Sequence, residues 1–382
     1  MGIFDIFKNR AVTVTNYKMI TDEGNGYYAW NGILYHSDII RSAIRPKARA
    51  IGKARGKHIR NGPDGMKVNP DVYMRFLLEE PNPYMTGQIF QEKLATQLEL
   101  NNNAFAYINR DDNGYPIEIY PITAVSADAI QDNKGELHLK FTLRNGRIVT
   151  FRYTDIIHLR KDFNSNEIFG DSPAQALAPL MEIINTTDQG IVKAIKNSNV
   201  IKWLLKFNQT LRPEDIKKQT KEFVDSFLNT ETSETVGAAA TDAKAEAKQV
   251  TPNDYVPNAT QMDKTTQRIL SFFNTNDKII QGKYSEDDWI SYYEGSVEPD
   301  IMQLSGEYSR KLLTRRERGH GNKIIFESSN LNFASMQTKL NLVQYVDRGI
   351  MNPNEVRAIL NMAPREGGEE YIRRLDTRPT TE

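Results

Sequence analysis

Apolar residues recur at helical spacing in three segments near the start of the chain. The segment SDIIRSAIRPKARAIGK, which begins at Ser37, contains Pro46 and therefore predicts a helix with a kink. PDVYMRFLLEE predicts a second, shorter helix. A third amphipathic helix follows Thr86, which can cap it, and stops at the three asparagines 101–103.

A short rigid stretch, EEPNPYMTG at residues 79–87, separates the second helix from the third. Pro81 and Pro83 fix φ and remove two backbone donors, so Pro81-Asn82-Pro83 can form neither helix nor central strand. The stretch therefore predicts a stiff turn that leads into the third helix.

Alternating apolar and polar residues replace the helical pattern after residue 103. AFAYINR and PIEIYPI flank a DDNG turn and predict one hairpin. LHLKFTLRNGRIVTFRYTDIIHLR predicts a second hairpin, in which Asn145-Gly146 matches a type I′ turn. Further along, IKWLLKFN and KIIFESSNLNF also predict strands.

Helical patterns return in the second half of the chain. Ser172-Pro173 predicts the start of a long helix. Pro179 either kinks this helix or marks its true start. RPEDIKKQTKEFVDSFLN, ATQMDKTTQRILSFFN and MNPNEVRAILNM predict further helices. Between them, the low-complexity residues 231–258 have no core pattern and predict an exposed excursion.

Irregular residues interrupt the helices near residue 282. NDKIIQGKYSEDD breaks the regularity around Gly282, and a long helical pattern restarts behind it. That pattern contains Gly295, Pro299 and Gly306, which predict that the helix bends.

Composition narrows the function classes. With 49 basic and 49 acidic residues among 382, the formal charge is zero, which argues against a protein that coats nucleic acid, while a local basic patch stays open. The absence of cysteine excludes disulfides, thiolate zinc sites and a cysteine nucleophile. No apolar run approaches the roughly 18 residues of a membrane helix. We therefore expect a soluble intracellular protein without membrane contact.

Motifs that carry chemistry are incomplete in this sequence. GKARGKH, at residues 52–58, has three residues between its glycines where a phosphate-binding loop has four, and no Ser or Thr follows its second lysine. GHGN, at residues 319–322, lacks the third glycine of a dinucleotide fingerprint. The five histidines never fall at i, i+4 spacing. We therefore expect no catalytic, cofactor-binding or metal-binding residue.

Two charged runs have more than one interpretation. The acidic residues 286–288 could seed a two-metal nuclease site, but their position at a helix N-terminus, where the macrodipole favours acidic residues, is the simpler explanation. The basic run that contains Arg310, Arg315 and Arg316 fits a solvated helix end. It could also pair with acidic residues of a neighbouring subunit, and direct DNA contact ranks third.

The order of the pieces resembles the portal proteins of tailed bacteriophages. EEPNPYMTG, the helix behind it and NAFAY match the family's succession of an N-P-N-P turn, a helix, a small-residue break and an N-A-[FY]-x-Y strand. DIIHLR followed by FGDSPAQAL, and later GIMNPNEVRAILNMAPREGG, match two further family stretches. The likeness covers most of residues 37–370, and the joint order of the motifs is far more specific than any single one.

This resemblance implies an α+β portal fold with a mixed α/β wing, a helical stem, a small α/β clip, a tunnel loop with a long bent helix, and a short helical crown. The implied boundaries are an N-terminal arm at 1–36, the wing at 37–171, a first stem helix at 172–198, the clip at 199–258, a second stem helix at 259–274, the tunnel loop at 275–288, the bent helix and a wing strand at 289–335, and the crown and C-terminal tail at 336–382.

The resemblance also implies a function. Portal proteins form a ring, usually of twelve subunits, at one capsid vertex, and double-stranded DNA passes through the channel during packaging and ejection. The implied partners are the terminase large subunit, the major capsid protein and scaffold, and the head-tail adaptor. The ring assembles in the host cytoplasm, stays in the virion and has no catalytic activity or cofactor of its own.

Within that frame, Lys278, Gln281 and Lys283 of the tunnel loop are the expected DNA-channel residues, and Arg310, Arg315 and Arg316 are expected at the subunit interface. A neutral chain suits a channel in which DNA must slide, because each paired phosphate adds affinity. A head-tail adaptor or other capsid ring component stays open as the alternative function. A metal-dependent phage nuclease is the less favoured one.

Overall fold

The computed structural model describes residues 17–19, 27–28, 34–63, 65–164, 167–197, 203–207, 210–223, 245–249, 259–327, 341–360 and 362–372. Helices and strands are both abundant in these ranges, which confirms the predicted α+β class. The chain divides into two compact units. The larger unit comprises Met1–Ala178 and Thr266–Glu382, and the smaller unit comprises Pro179–Thr265.

The helices described are α1 (Asp38–Lys53), α2 (Val72–Glu79), α3 (Gly87–Asn101), α4 (Ala174–Asn197), α5 (Pro213–Phe223), α6 (Ala259–Phe272), α7 (Asp277–Gln281), α8 (Glu286–Tyr292), α9 (Glu298–Leu312), α10 (Arg315–Gly319), α11 (Val343–Asp347) and α12 (Pro353–Ile359). Short 3₁₀ turns occupy Leu34–His36 and Tyr153–Asp155, and a π-helical segment occupies Tyr293–Val297.

The strands described are β1 (Tyr17–Met19), β2 (Tyr27–Tyr28), β3 (Arg55–Gly62), β4 (Gly65–Val68), β5 (Asn103–Arg110), β6 (Pro116–Ile122), β7 (Ala124–Asp132), β8 (Leu137–Leu143), β9 (Ile148–Arg152), β10 (Ile156–Arg160), β11 (Trp203–Phe207), β12 (Ala245–Gln249) and β13 (Asn322–Glu327). The larger unit has three sheets, β10-β5-β6, β13-β3-β4, and β1-β7-β8-β9 with β2 also paired to β7.

The two predicted hairpins form, but the second is shorter than the sequence suggested. β5 pairs with β6 and β8 pairs with β9, both antiparallel. The segment DIIHLR does not continue the second hairpin, because β10 leaves that sheet and pairs with β5 instead. Leu139 and Phe141 of β8 and Phe151 of β9 belong to one buried cluster, which also contains Phe105 of β5. A single aromatic core therefore joins the two sheets.

The turn between β8 and β9 is not the predicted type I′ turn. Gly146 has a φ of 77°, but Asn145 is not among the residues with positive φ. A type I′ turn requires positive φ at both central residues. The backbone instead closes with hydrogen bonds from Gly146 N to Leu143 O and from Leu143 N to Arg147 O, which is typical of a type I turn followed by a glycine bulge.

The turn EEPNPYMTG buries Pro81 and Asn82 and pins α2, α3 and β6 together. Asn82 Nδ2 donates to Ile119 O at 2.8 Å, and Ile119 N donates to Pro81 O at 2.7 Å. Thr86 caps α3, as predicted, by accepting from Ile89 N. A Cβ on Gly87 would lie 2.3 Å from Leu78 O, so this close approach of the two helices requires glycine.

The smaller unit contains a strand pair that the sequence did not indicate. β11 pairs antiparallel with β12, which lies inside the stretch interpreted as an exposed excursion. The sequence did not predict this strand, in which Ala245–Gln249 form a ladder with Trp203–Phe207, while the side chains of Glu246 and Lys248 are exposed as expected. The rest of residues 231–258, and the ends of several predicted helices and strands, lie outside the described residues.

Candidate functional site

The residues between α6 and α9 form two short, tightly capped helices in place of the irregular loop that the sequence suggested. Asn276 caps α7 by accepting from Ile279 N, and Gly282 ends this helix with a φ of 71°. Ser285 then opens α8 with a capping box, because its side chain accepts from Asp288 N while Asp288 accepts from Ser285 N. Caps of this kind satisfy the free backbone groups of both helices.

The three predicted channel residues lie on α7 and directly behind it. Lys278 Nζ makes an ion pair with Asp288 Oδ2 at 3.2 Å, although 63% of the lysine side chain is exposed. Gln281 and Lys283 are exposed. In the part of the chain that the structure describes, no ion pair involves Lys283, whose exposed ammonium group is therefore accessible to an external partner.

A π-helical segment interrupts the α-helical pattern before α9, in the region where the sequence predicts a bend. Residues Tyr293–Val297 include Gly295, and Pro299 lies at the start of α9, where its missing N–H costs nothing. Gly306 lies inside α9 and does not interrupt it. Ser296 Oγ donates to Asn274 O at 2.8 Å and ties the π segment to the end of α6.

An open cleft of about 530 Å³ lies along this connection, lined by residues 274–276, 287–288, 291–292 and 295–296. Its lining is largely polar, but it does not gather a metal-binding set. Among the described residues, only Asp132, Glu136 and His138 bring three potential ligand atoms within 4.8 Å of one another. The hydrogen bonds from Ser285 and the Lys278 ammonium hold the pKa of Asp288 below its usual range. The acidic residues 286–288 therefore lie in the first turn of α8, where the simpler interpretation placed them, and Asp288 completes the capping box.

Buried ion pairs hold α9 against the rest of the larger unit. Lys47 Nζ of α1 lies 2.8 Å from both Glu99 Oε1 of α3 and Asp300 Oδ2 of α9. Glu99 Oε2 in turn lies 2.7 Å from Lys161 Nζ, just behind β10. Lys47 and Glu99 are 5% and 1% exposed, so these charges are almost entirely removed from water. Two positive and two negative charges balance, which is a condition for burying them.

Burial and ion pairing shift the pKa values of these groups in different directions. Burial alone would raise the pKa of Glu99, but the charges of Lys161 and Lys47 outweigh it and hold the pKa below its usual range. The pKa of Asp300 is raised, because its burial is only partly offset by Lys47. Nearby, burial raises the pKa of Tyr292 to about 12. The four-residue cluster is therefore an ionic joint built on one shared lysine and one shared glutamate.

Three of the phage-like motifs meet in one buried junction. Asn103 Nδ2 donates to Gly170 O at 2.9 Å, and Gly170 N donates to Asn103 Oδ1 at 2.9 Å. The same Asn103 Oδ1 lies 3.1 Å from His158 Nε2, while Tyr153 OH lies 3.3 Å from His158 Nδ1. Complete burial holds the pKa of His158 well below its usual range, so the ring is neutral. His158 is a structural residue of the sheet, in which it lies on β10.

The C-terminal half of α9 is anchored on the same junction. Glu307 is 8% exposed and pairs with Arg310, with 2.6 Å between Oε2 and a guanidinium nitrogen. Lys311 Nζ donates to Tyr153 O and lies over the tyrosine ring. Burial lowers the pKa of Lys311 to about 8. Arg310, predicted at a subunit interface, therefore has an ionic partner within its own helix.

Arg315 and Arg316 have a different environment, on the short helix α10. Thr314 and Glu317 form a capping box, in which Glu317 Oε2 accepts from Thr314 N and Oγ1 at 2.7 Å. Glu317, which carries the one carboxylate of α10, thus takes part in the N-terminal cap of this helix. Arg315, Arg316 and Arg318 are exposed, and none of the three has an ion pair among the described residues.

The sequence did not indicate the ionic joint or the partners of the predicted site residues. Lys47, Glu99 and Asp300 are scattered over three helices, and each looks like an ordinary surface residue in its own helical pattern. One signal was available for the capped connection, since Asn276 and Gly282 stand where a helix cap and a helix stop are expected. Among the helices of the described residues, none is long and apolar enough to cross a membrane.

A family model for phage portal proteins matches residues 38–361, most of the chain. The chain belongs to the phage portal protein family. The match begins at the first residue of α1 and ends two residues behind α12, so it includes the capped connection, the ionic joint and the motif junction.

Curated portal proteins of three phages show the same relationship. The probable portal proteins of Lactococcus phages p2 and SK1 are each 25% identical over 184 residues, 46% of this chain and 49% of theirs. The match therefore spans about half the length of these relatives. The portal protein of Enterobacteria phage HK97 is 20% identical over 321 residues, 81% of this chain and 74% of that protein.

Solved structures of phage-like particles share the fold. A chain in the neck of an empty gene transfer agent particle has a TM-score of 0.71 at 14% identity and covers 90% of this chain and 96% of that one. The corresponding neck of the native particle, computed with C12 symmetry, has a TM-score of 0.67 at 15% identity, with 90% and 97% covered. A portal protein from Corynebacterium diphtheriae reaches 0.50 at 12% identity, covering 81% of this chain and 98% of that one.

Proposed function

We propose that this protein is the subunit of a portal ring at one vertex of a phage capsid, where it forms the channel for DNA packaging and ejection and the site of head-tail connection. The observation that carries the proposal is the family match over residues 38–361. The junction of Asn103, His158 and Gly170 supports it, because three separately spaced motifs of the family converge there in one buried cluster.

A ring of twelve copies is the assembly that we propose. The neck of a native gene transfer agent particle, which shares the fold, was computed with C12 symmetry. Cyclic symmetry of this kind requires two different complementary surfaces on each subunit. The proposed partners are further copies of the chain, the terminase large subunit, the major capsid protein and scaffold, the head-tail adaptor, and double-stranded DNA. The ring would assemble in the host cytoplasm and remain in the virion.

The parts of a portal subunit can be assigned along this chain. Residues 37–171 would form the wing, α4 and α6 the stem, and residues 199–258 the clip. The capped helices α7 and α8 would take the place of the tunnel loop at residues 275–288, and the ionic joint would hold the helix behind them against the wing. Residues 336–382 would form the crown and tail.

Lys283 is the side chain that we assign most directly to passing DNA, with Lys278 and Gln281 beside it on α7. Lys283 has no ionic partner among the described residues and can approach a phosphate without breaking an ion pair, whereas Lys278 has to leave Asp288 first. A few such cations guide a polyanion without holding it, since affinity for DNA grows with the number of neutralised phosphates.

Electron microscopy of the purified full-length chain tests the proposal. We expect rings with a central hole and a native mass of about twelve times the 43.6 kDa chain. The protein should also be present in DNA-free proheads, before any tail component joins. A head-tail adaptor would be absent from those proheads, and a nuclease would cut DNA when a divalent cation is added. Either result would overturn the portal assignment.

A further inference from the structure

An exposed apolar face occupies neighbouring elements of the larger unit. α2 packs beside β6, and the turn behind α2 is hydrogen bonded to Ile119 of β6. Large apolar side chains on these elements are between 39% and 62% exposed, namely Val72, Tyr73, Phe76, Tyr84, Tyr115 and Ile117. We call this set the aromatic face. Exposed apolar clusters of this kind mark interaction sites more often than isolated surface residues do.

Carboxylates surround the aromatic face. Asp71 caps α2, Asp111 begins the turn between β5 and β6, and Glu118 lies in β6. Burial, together with the charges of Asp111, Asp71 and Glu118, raises the pKa of Tyr73. None of the three forms an ion pair within the described ranges. The aromatic face therefore has a negative rim that lacks a cation.

The complementary charge is found on α10 of the same chain. Glu317 is committed to the cap, so Arg315, Arg316 and Arg318 leave a short rigid helix with three positive charges and no ionic partner among the described residues. A closed ring needs two different complementary surfaces on each subunit, and an apolar face whose acidic rim has no ion pair among the described residues is complementary in charge to a rigid basic helix.

We propose that the aromatic face of one subunit docks on the basic helix α10 of the next copy in the ring. Apolar side chains supply the buried area of the contact, and the arginines pair with the carboxylate rim and fix its register. This inference rests on the proposed function, since it assigns the two surfaces of the ring interface. It places Arg315 and Arg316 at that interface, whereas Arg310 keeps its ion pair with Glu307 of the same subunit.

Two variants, each blocked on one surface, separate this arrangement from its alternatives. The double substitution Tyr73→Glu with Phe76→Glu blocks binding at the aromatic face. The double substitution Arg315→Glu with Arg316→Glu blocks binding at the basic helix. Each variant alone should lower the ring fraction by about tenfold or more, as measured by native mass spectrometry. Mixed in equal amounts, they should form dimers of twice the 43.6 kDa chain mass and stop there, because each retains one intact surface.

Matched controls use equally exposed residues elsewhere. Met302 on α9 is 68% exposed, so Met302→Glu tests the effect of an acidic group on any apolar surface residue. Arg144→Glu with Arg147→Glu reverses two exposed arginines at the turn between β8 and β9. Both controls should form rings as the wild type does. Far-UV circular dichroism and melting curves check that each variant is folded.

Several outcomes would overturn the inference. Rings that persist in either blocked variant would show that other surfaces join the subunits, and the portal assignment would stand. Folded variants that stay monomeric when mixed would show that the two surfaces do not meet. Normal rings that lose DNA in the arginine variant would assign α10 to DNA instead. Wild-type chains that never form rings would count against the proposed function itself.

Discussion

Asn103 and Gly170 exchange two hydrogen bonds, each of 2.9 Å, between one side-chain amide and one backbone unit. The two residues are 67 positions apart in the chain. Their reciprocal hydrogen bonds resemble those between two paired residues of neighbouring β-strands. A Cβ on Gly170 would lie 2.4 Å from Asn102 O, so the approach depends on glycine at this position. The amide thus joins the start of β5 to the segment that leads into α4.

Replacing Asn103 by alanine should destabilise the protein by about 2 to 4 kcal/mol, because it leaves the buried Gly170 N–H and the Nε2 atom of His158 without partners. Urea unfolding of the full-length chain measures this change. Asn113→Ala, in an exposed turn, is the matched control and should change stability by less than about 0.5 kcal/mol. Equal effects of the two substitutions would contradict a structural role for the junction.

Gly170→Ala should be more damaging than a typical surface substitution, because the new methyl group would overlap Lys161 O and Asn102 O. Thermal unfolding should show a melting temperature several degrees below that of the wild type. Gly306→Ala, in the middle of α9, meets no atom within 4 Å and should raise stability by about 0.5 to 1 kcal/mol. The opposite order of the two variants would refute the close approach at Gly170.

Removing one partner of the ionic joint should have a large effect. Lys47→Met leaves Asp300 and one oxygen of Glu99 buried without a cation, and we expect a loss of about 3 to 5 kcal/mol of unfolding free energy. Lys57→Met, which breaks an exposed pair with Glu327, should cost less than about 1 kcal/mol. If the two substitutions had similar effects, the joint would not be a buried ionic site.

The lowered pKa of Lys311 predicts that the free energy of unfolding rises with pH above neutrality. Its pKa of about 8 lies below the unfolded value near 10.4, so the unfolded chain binds more protons between these values. This group should therefore add on the order of 2 kcal/mol of stability between pH 8 and pH 10. The difference between wild type and Lys311→Met, followed by urea unfolding at each pH, isolates this contribution. A difference that stays constant over this range would show that Lys311 is not titrating.

Lys283→Ala, alone and combined with Lys278→Ala, should alter DNA packaging or retention while rings still form. The single Lys283 variant should carry most of the effect, because the Lys278 ammonium already has Asp288 as a partner. Quantifying packaged DNA per particle tests this, with Lys53→Ala at the end of α1 as a control for lost surface charge. Packaging and retention that match the wild type in the double variant would remove both lysines from the channel.

Local signals in the sequence predicted most elements of this fold, and the failures have physical causes. Asn145-Gly146 is the usual type I′ pair, but the observed glycine bulge needs positive φ only at Gly146. β12 was missed because AEAKQ combines residues of low strand propensity, and its pairing with β11 over a long sequence separation supplies the order. DIIHLR looked like part of the nearest hairpin, whereas β10 reaches across to β5.

The sequence proposes a segment for the candidate site, but it does not predict the interactions of the side chains in that segment. The order of the motifs located the segment around Lys278 and Lys283, yet no spacing rule pairs Lys278 with Asp288, which lies on the next short helix. Ionic clusters such as Lys47 with Glu99 and Asp300 depend on how three helices pack, and the sequence pattern of each helix carries no trace of the others. Tertiary contacts of this kind are set by the whole fold.

Phe207 and Ala245 are partners across the β11–β12 ladder, so the chain leaves this ladder and returns to it at adjoining positions within the smaller unit. The ladder, and not the residues between, therefore sets the distance that any intervening segment has to span. Lengthening such a segment costs little, because closure entropy grows slowly with length. Phages could exchange residues 208–244 as a cassette while the fold around it stays constant, and an experimenter could insert a fluorescent reporter at the same place.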